Sequence, residues 1–365
     1  MSLSIDARTF RDLLADPGAA EAVSAADGCP LVIVDADDDE AGKILPGLDV
    51  TALPAVVALV MPDPGRLGSD CFAAADIILT EDDQAAAPFT RPAGGLQAGL
   101  KAVADALAAH PVAGTTLALL LRSSAGLSVP AGLVAESATY SSLQAGEEFK
   151  RWRAGRPDRP PEPGTTRVRT QRLDDELRIT LARPQRRNAL DRQMRDSLCQ
   201  ALAIAAVDDG LRVVLTADGP DFCAGGDLDE FGSRPDPATA HLVRLTRSPA
   251  LLMHRLSART TVYLHGACLG AGVELPAFAD RVIATPDARL GLPEVGLGLV
   301  PGAGGTVSVP RRIGRWRTLF LALTGQYLTA EQALQWGLVD AVGAAATEAH
   351  AVVEFTNTTS LDGDQ

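Results

Sequence analysis

The chain is poor in aromatic residues, in positive charge and in cysteine. Of its 365 residues only 4% are aromatic, Lys and Arg number 33 against 46 Asp and Glu, and the five cysteines are scattered. The net charge of −13 argues against a nucleic-acid surface or an anionic membrane as partner, because both attract basic patches. The cysteines show neither metal-ligand spacing nor a disulfide framework, which is typical of a reducing cytoplasm.

Long apolar runs and a basic N-terminal region are also missing. The first residues, MSLSIDARTFRDLL, contain no basic n-region and no long apolar run, so we expect no signal peptide. No apolar segment is long enough to span a bilayer. What is present is 46% apolar and 22% charged residues, an ordinary globular profile, in a chain long enough for two domains. We expect a cytoplasmic protein.

Two carboxylates mark the most informative stretch, which runs from Leu264 to Thr306 and reads LHGACLGAGVELPAFADRVIATPDARLGLPEVGLGLVPGAGGT. Glu274 and Glu294 each lie among apolar and glycine residues, where a charged side chain is costly. A carboxylate in such surroundings is either paired or placed for proton transfer. The glycines before Glu274 allow backbone N–H groups to approach a ligand closely, because no Cβ intervenes.

This stretch and three further blocks resemble the enoyl-CoA hydratase/isomerase (crotonase) family. The other blocks are ITLARPQRRNAL at 179–190, RVVLTADGPDFCAGGDLDEF at 212–231 and IGRWRTLFLALTGQYLTAEQALQWGLVDAV at 313–342. The resemblance extends over residues 167–342. It implies an α/β fold, the crotonase (ClpP-like) spiral of β-β-α repeats, and an enzyme that uses no metal and no redox cofactor. Coenzyme A enters such a reaction as part of the substrate.

The resemblance also implies the catalytic groups. Glu274 and Glu294 match the paired glutamates that orient and activate a water: Glu294 delivers a proton to Cα, and Glu274 helps to deprotonate the water. The backbone N–H groups of Ala224 and Ala271 match the oxyanion hole that stabilises the enolate oxygen. Two structural alternatives stay open: the glycines may serve only tight turns, and Glu294, which follows Pro293, could cap a helix.

Further residues match the substrate-binding region of the family. The arginines before Asn188 suit contact with CoA phosphates, although each could equally be a solvated surface residue. Asp227 is expected to cap a helix that follows the oxyanion turn. The predicted substrate- and CoA-binding residues are Arg183, Arg186, Arg187, Ala189, Gly225, Gly226, Asp227, Gly270 and Gly272.

Hydration of a 2-enoyl-CoA thioester is the favoured reaction, because both acids are retained whereas isomerase-type relatives often lack one. An isomerase or an acyl-CoA hydrolase of the same superfamily, and a non-catalytic scaffold, are the alternatives. The expected partner is an acyl-CoA, with neither nucleic acid nor membrane. The resemblance further implies a homo-oligomer, either a trimer or a hexamer.

The residues before the catalytic region predict a second α/β unit. Residues 1–27 predict amphipathic helices, 29–40, 53–60 and 74–82 predict buried strands, and 95–153 predicts several helices. The last two strands parallel the segments 259–266 and 277–287, so residues ~30–160 are interpreted as a degenerate crotonase-like unit. Two unrelated strand pairs with a common apolar pattern are an equally good interpretation.

The predicted domains are residues 1–153 and 167–345. A Pro- and Gly-rich linker, 154–166, joins them, and residues 346–365 form a partly disordered tail. The residues after Val342 are too few for the helices that close the crotonase fold, and the helices at 95–153 loosely resemble those helices. We therefore expect helices 95–153 to cap the catalytic domain of the same or a neighbouring chain, which requires them to lie beside the pocket that contains Glu274.

Overall fold

The computed structural model describes residues 2–37, 40–157, 164–233 and 236–344, which form three sheets and the helices that cover them. Residues 158–163 of the predicted linker and the whole predicted tail, 346–365, lie outside the described residues.

A four-stranded parallel sheet begins the chain, in the order β1 (Ser2–Asp6), β2 (Leu31–Asp35), β3 (Val56–Val60) and β4 (Ile77–Leu79). β3 is apolar throughout because both of its faces are covered: Val56 and Ala58 belong to one buried cluster, Val57 and Leu59 to another. The three predicted strands are confirmed. The predicted N-terminal helices are α1 (Ala7–Ala15) and α2 (Ala19–Ala22), but the residues before them pair with β2 as a strand. A short helix, α3 (Ala41–Ile44), follows β2.

A layer of four helices comes next: α4 (Leu96–Ala109), α5 (Pro111–Ser124), α6 (Val129–Gln144) and α7 (Glu147–Ala154). α4 ends at His110 because Pro111 has no N–H with which to continue the helix, and α5 leaves at 112° to α4. Among the described residues no single helix is both long and apolar enough to cross a membrane, although the bent pair α4–α5 meets the length and composition criteria together.

A six-stranded sheet forms the centre of the C-terminal half. Its strands are β5 (Val168–Leu173), β6 (Glu176–Leu181), β7 (Arg212–Ala217), β8 (Thr260–Leu264), β10 (Arg281–Ala284) and β13 (Ala341–Val342). Their order in the sheet is β13, β10, β8, β7, β6, β5. β5 and β6 form the predicted hairpin, whose turn uses Asp174 at φ 51. The other neighbours in this sheet are parallel, and β8 and β10 are adjacent just as β3 and β4 are. The common origin of these two pairs stays a hypothesis.

In the described residues, a small sheet and six α-helices complete the C-terminal half. The sheet has the order β12 (Leu328–Thr329), β11 (Arg289–Gly291) and β9 (Ala267–Leu269), and β9 and β11 lead into the segments that carry Glu274 and Glu294. The helices are α8 (Arg192–Ala206), α9 (Pro237–Thr246), α10 (Pro249–Arg255), α11 (Ala271–Glu274), α12 (Gly305–Thr324) and α13 (Ala330–Trp336).

Buried polar contacts join the N-terminal sheet to α5 and α12. Arg122 of α5 pairs with Asp76 beside β4, and donates further hydrogen bonds to three backbone carbonyl groups. Arg315 of α12 pairs with the same Asp76 at 3.4 Å, and Trp316 Nε1 donates to the carbonyl oxygens of Phe72 and Ala75 at 3.0 Å. One buried cluster also contains side chains of the N-terminal sheet, of α4–α7 and of the C-terminal sheet. The helical layer is therefore packed between the two sheets.

Candidate active site

A cavity of about 1180 Å³ opens between the helical layer and the C-terminal half. Glu136 and Tyr140 of α6 form part of its wall, and Ala271, Glu274 and Glu294 form another part. The segment 95–153 thus places a helix beside the pocket that contains Glu274, as the predicted cap requires.

Glu274 is the last residue of α11 and is held by the start of α12. Its Oε2 accepts hydrogen bonds from the N–H groups of Ala303 (2.7 Å) and Gly305 (2.8 Å), and the residue is 2% exposed. A Cβ on Gly305 would lie 2.7 Å from that oxygen, so this close approach requires glycine. Burial raises the pKa of Glu274 well above its ordinary value, Glu294 and Glu136 raise it further, and the two amides oppose the shift.

Glu294 follows Pro293 at the start of a 3-10 turn and is 8% exposed. The capping position of this turn is Pro293, and among the described residues no hydrogen bond joins the Glu294 side chain to a helix N-terminus, which argues against the alternative of a helix cap. Within the described residues, the buried Glu294 Oε2 has no hydrogen-bond partner. Burial raises the pKa of Glu294 to about 8, which favours the protonated form of the carboxyl group at neutral pH. A buried, protonated carboxyl group with an unsatisfied oxygen can exchange a proton with a ligand.

The two Gly-rich turns of the sequence lie side by side. Cys223 and Cys268 form an isolated β-bridge, and the Leu269 N–H donates to the Cys223 carbonyl oxygen at 2.9 Å. Gly225 has φ 94, and a Cβ there would lie 3.1 Å from the Leu269 carbonyl oxygen. The bridge therefore brings the turn at 223–226 against the turn at 269–272.

Ala271 keeps the geometry that an oxyanion hole needs. As the first residue of α11 it has an N–H outside the helical hydrogen-bond pattern, and it lines the cavity. A Cβ on the preceding Gly270 would lie 2.3 Å from Glu294 Oε1, so the acid and this amide are adjacent.

Ala224 does not supply the free amide that the resemblance implies. Its N–H donates to the Arg187 carbonyl oxygen at 2.9 Å, in a turn where Arg187 and Asn188 both have φ 52. Ala224 also does not line the cavity, whereas Gly226 does. In the described part of the chain the Gly226 N–H donates to no protein acceptor. Gly226 therefore replaces Ala224 as the candidate second donor.

Arg183 is bound to the protein itself and offers little to a CoA phosphate. It is 2% exposed, its Nη1 lies 2.7 Å from Asp227 Oδ2, and it donates to the Ala189 carbonyl oxygen at 3.0 Å. Asp227 consequently pairs with an arginine and does not cap a helix. Residues 228–232 form turns, and the next helix begins at Pro237.

The other predicted contact residues divide between the cavity and its support. Arg186 lines the cavity and pairs with Asp229, whereas Arg187 lies outside it and pairs with Asp221 at 2.7 Å. Gly272 packs on backbone, since a Cβ there would lie 2.4 Å from the Cys223 carbonyl oxygen. Of all predicted site residues, Arg183, Arg186, Gly226, Asp227, Ala271, Glu274 and Glu294 line the cavity, and Arg187, Ala189, Ala224, Gly225, Gly270 and Gly272 do not.

A third buried glutamate, Glu136 of α6, was not among the predicted site residues. Its oxygens accept hydrogen bonds from the N–H groups of Gly304 (2.7 Å) and Thr306 (2.9 Å) and from the Thr306 hydroxyl (2.7 Å). The four successive amides of residues 303–306 thus alternate between the two acids: residues 303 and 305 donate to Glu274, and residues 304 and 306 donate to Glu136. Burial is the main cause that raises the pKa of Glu136 to about 7. Its signal in the sequence is a lone charge within the otherwise uncharged helix VPAGLVAESATYSSLQ.

The C-terminal half of the chain matches one protein family. The model of the enoyl-CoA hydratase/isomerase family matches residues 177–359, which is half of the sequence and includes both Glu274 and Glu294. The chain belongs to the enoyl-CoA hydratase/isomerase family.

Individual members of the enoyl-CoA hydratase/isomerase family align with the same half. The 2,3-dehydroadipyl-CoA hydratase of Escherichia coli (strain K12) is 39% identical over 170 residues, covering 46% of this chain and 65% of that protein. The enoyl-CoA isomerase/hydratase fer4 of Mycosarcoma maydis is 35% identical over 179 residues, which again cover 46% of this chain and 65% of that protein. The chain thus spans a little under two thirds of these relatives. A crystal structure of enoyl-CoA hydratase from Thermoplasma volcanium GSS1 is 32% identical, with TM-score 0.48, over 53% of this chain and 79% of that one.

Family membership and the parallel α/β sheets confirm the predicted fold class, an α/β crotonase fold. Glu136 and the whole of α6 precede the residues that the family model matches. Within the described residues, no group of three or more His, Cys, Asp or Glu side chains is arranged to hold a metal ion.

Proposed function

We propose that this chain hydrates a 2-enoyl-CoA thioester. The observation that carries the proposal is the buried Glu294 carboxyl group, whose Oε2 is unsatisfied and whose pKa is raised to about 8 by burial. It lies beside the Ala271 amide and in the same cavity as Glu274. A proton donor, a second carboxyl group and a free backbone amide are what the addition of water to a conjugated thioester requires.

In this mechanism the thioester carbonyl oxygen is bound by the N–H groups of Ala271 and Gly226. These donors polarise the conjugated system and stabilise the negative charge that develops on the oxygen as the enolate forms. Because both donors belong to backbone turns that the bridge between Cys223 and Cys268 holds together, little reorganisation is needed when the charge appears.

The elements of water add to the two carbons of the double bond. The reactive state is the one in which Glu294 holds a proton and Glu274, stabilised by the amides of Ala303 and Gly305, is ionised. A water held between them adds its oxygen to Cβ and gives a proton to Glu274, while Glu294 gives its own proton to Cα. One C–O and one C–H bond form and the C=C π bond is lost, so the atoms of one water are consumed. Return of the proton from Glu274 to Glu294 restores the starting state.

The test is the disappearance of the conjugated enoyl-thioester absorbance when the purified chain is mixed with crotonyl-CoA. Glu294→Gln should lower kcat by more than about 100-fold, the scale of general acid catalysis. Glu147→Gln, on the exposed first turn of α7, is the matched control and should leave kcat unchanged.

Two other reactions of the family are distinguished in the same series. Conversion of a 3-enoyl-CoA to a 2-enoyl-CoA, without loss of the conjugated product to water, would identify an isomerase. Release of free CoA thiol, detected with a thiol reagent, would identify a hydrolase. If the chain hydrates no 2-enoyl-CoA, the proposal is wrong, whichever of the other two reactions it catalyses.

The oligomeric state and the cellular location of the chain are also proposals, which rest on the family resemblance and on the composition. We propose a homo-oligomer, trimeric or hexameric, in the cytoplasm. Sedimentation analysis of the full chain measures the first, and fractionation of the source cells measures the second.

A further inference from the structure

Arg244 is a cation fixed on the cavity wall by three residues of α6. It belongs to α9, and its Nε donates to Ser137 Oγ at 3.0 Å while its Nη2 donates to the Ser137 carbonyl oxygen at 3.1 Å and to Ser141 Oγ. Its guanidinium carbon lies 4.7 Å from the centre of the Tyr140 ring. Arg244, Ser137 and Tyr140 all line the cavity. The guanidinium is therefore partly buried and held in one orientation.

Among the described residues no carboxylate forms an ion pair with Arg244. Within the described residues the structure records no ion pair for it, and its Nη1 donates to no protein acceptor. Other arginines of the same cavity do pair: Arg183 with Asp227 and Arg186 with Asp229. Glu136, the residue before Ser137, directs its oxygens to residues 304 and 306, and its negative charge acts on Arg244 without a recorded ion pair.

An unpaired, partly buried cation is costly, so the absence of a partner needs a reason. Burial lowers the pKa of Arg244, and the nearby Tyr140 and Glu136 oppose the shift. A guanidinium that is seated by neutral hydroxyl and carbonyl groups, with one nitrogen left over, is arranged to receive an anionic ligand.

The position of Arg244 relative to the glutamates limits which part of a substrate it can meet. Tyr140 packs on Gly302, since a Cβ there would lie 2.3 Å from the tyrosine ring, and the next residue, Ala303, holds Glu274. The same tyrosine ring stacks with Arg244. The guanidinium is thus separated from the Glu274 turn by about one aromatic ring, a span suited to a short acyl chain.

We propose that Arg244, seated by Ser137 and Tyr140, binds a carboxylate at the far end of the acyl chain, so that the chain prefers CoA thioesters of dicarboxylic acids. This inference rests on the proposed function, because it states which part of the same cavity binds the end of the acyl chain. A carboxylate and a CoA phosphate share the chemistry that a guanidinium recognises, and the experiment must separate them.

The experiment measures binding of two saturated thioesters of equal length, hexanedioyl-CoA and hexanoyl-CoA, by titration calorimetry with the full chain. Neither can be hydrated, so the result does not depend on whether hydration occurs. The wild-type chain should bind the dicarboxylic thioester about 10- to 100-fold more tightly, the range for one charge-assisted hydrogen-bonded pair. Arg244→Gln should abolish this preference and leave hexanoyl-CoA binding within about threefold, and Arg244→Lys should retain part of it.

Arg255→Gln is the matched control, because Arg255 is exposed at the end of α10 and does not line the cavity. It should leave both dissociation constants unchanged. Equal weakening of both thioesters by Arg244→Gln would assign the arginine to a CoA phosphate and overturn the inference. Equal binding of the two thioesters by the wild-type chain would overturn it as well. Hydration of 2-hexenoyl-CoA, measured separately, reports on the proposed function alone.

Discussion

Replacing Glu136 should affect both stability and the pH dependence of the reaction. The residue is 2% exposed and is the acceptor for three donors of residues 304 and 306, at the start of α12. Glu136→Ala removes the acceptor and leaves two N–H groups and one hydroxyl group buried without partners. Glu136→Gln keeps the shape, removes the charge and turns an NH₂ group toward the same donors.

The stability loss follows from the number of unsatisfied groups. A buried donor that loses a charged acceptor costs about 1–3 kcal/mol, and breaking a buried charged cluster costs about 3–5 kcal/mol. We expect Glu136→Ala to lower the free energy of unfolding by about 3–5 kcal/mol, and Glu136→Gln by about half of that. Urea denaturation, followed by circular dichroism, measures both variants against the exposed control Glu147→Gln.

The pH effect has a definite sign. After burial, which is the largest cause, the negative charge of Glu136 also raises the pKa of Glu294. If Glu294 must hold a proton to react, the hydration rate falls as the pH rises through about 8, and Glu136→Gln moves that alkaline limb to lower pH. The assay is kcat/KM for crotonyl-CoA between about pH 6 and 9.5. An alkaline limb that stays in place, in a variant that is folded, would refute the electrostatic coupling. An unchanged free energy of unfolding in Glu136→Ala would refute the role assigned to its hydrogen bonds.

Three further predictions follow from named contacts. Burial raises the folded-state pKa of Glu294 to about 8, so the stability that its protonated form contributes is full below the ordinary pKa of 4.5 and is lost as the pH rises through about 8. Glu294→Gln, which does not titrate, should therefore become more stable relative to wild type as the pH rises from 5 to 9, as measured by urea midpoints. A stability difference that does not change with pH would contradict this. Arg122→Met leaves buried Asp76 with a single, longer ion pair and should cost about 3–5 kcal/mol in denaturant unfolding, whereas Lys101→Met, on an exposed pair, should cost less than about 0.5 kcal/mol. Gly272→Ala places a Cβ 2.4 Å from a backbone oxygen of the neighbouring turn and should lower kcat by about 100-fold with the chain still folded; normal kcat would show that this turn does not position the oxyanion donors.

The two catalytic candidates could be found from local sequence because their surroundings are unusual. Glu274 and Glu294 lie in glycine-rich and apolar segments, and those glycines are needed where backbone and carboxylate come within van der Waals contact, as at Gly270 and Gly305. The buried strands were predicted for a similar reason, since a strand covered on both faces is apolar at every position, as β3 is.

Contacts between distant segments could not be predicted in this way. Glu136 meets Gly304 across 168 residues, and no local pattern indicates which helix covers the cavity. Ala224 was assigned from its place in a motif, but its hydrogen bond depends on the left-handed turn at Arg187, which carries no glycine to reveal it. The burial of Arg183 likewise follows from its pairing with Asp227, 44 residues away.

The packing of α5 against α12 has a consequence for how this protein can be divided. A Cβ on Gly114 of α5 would lie 2.8 Å from a methyl carbon of Leu323, so the two helices meet without space between them. A fragment that begins at residue 164 would lose that partner, together with the acceptor for Gly304 and Thr306. Cutting the gene at the linker should therefore yield an insoluble C-terminal piece, and co-expression of residues 1–157 should rescue it.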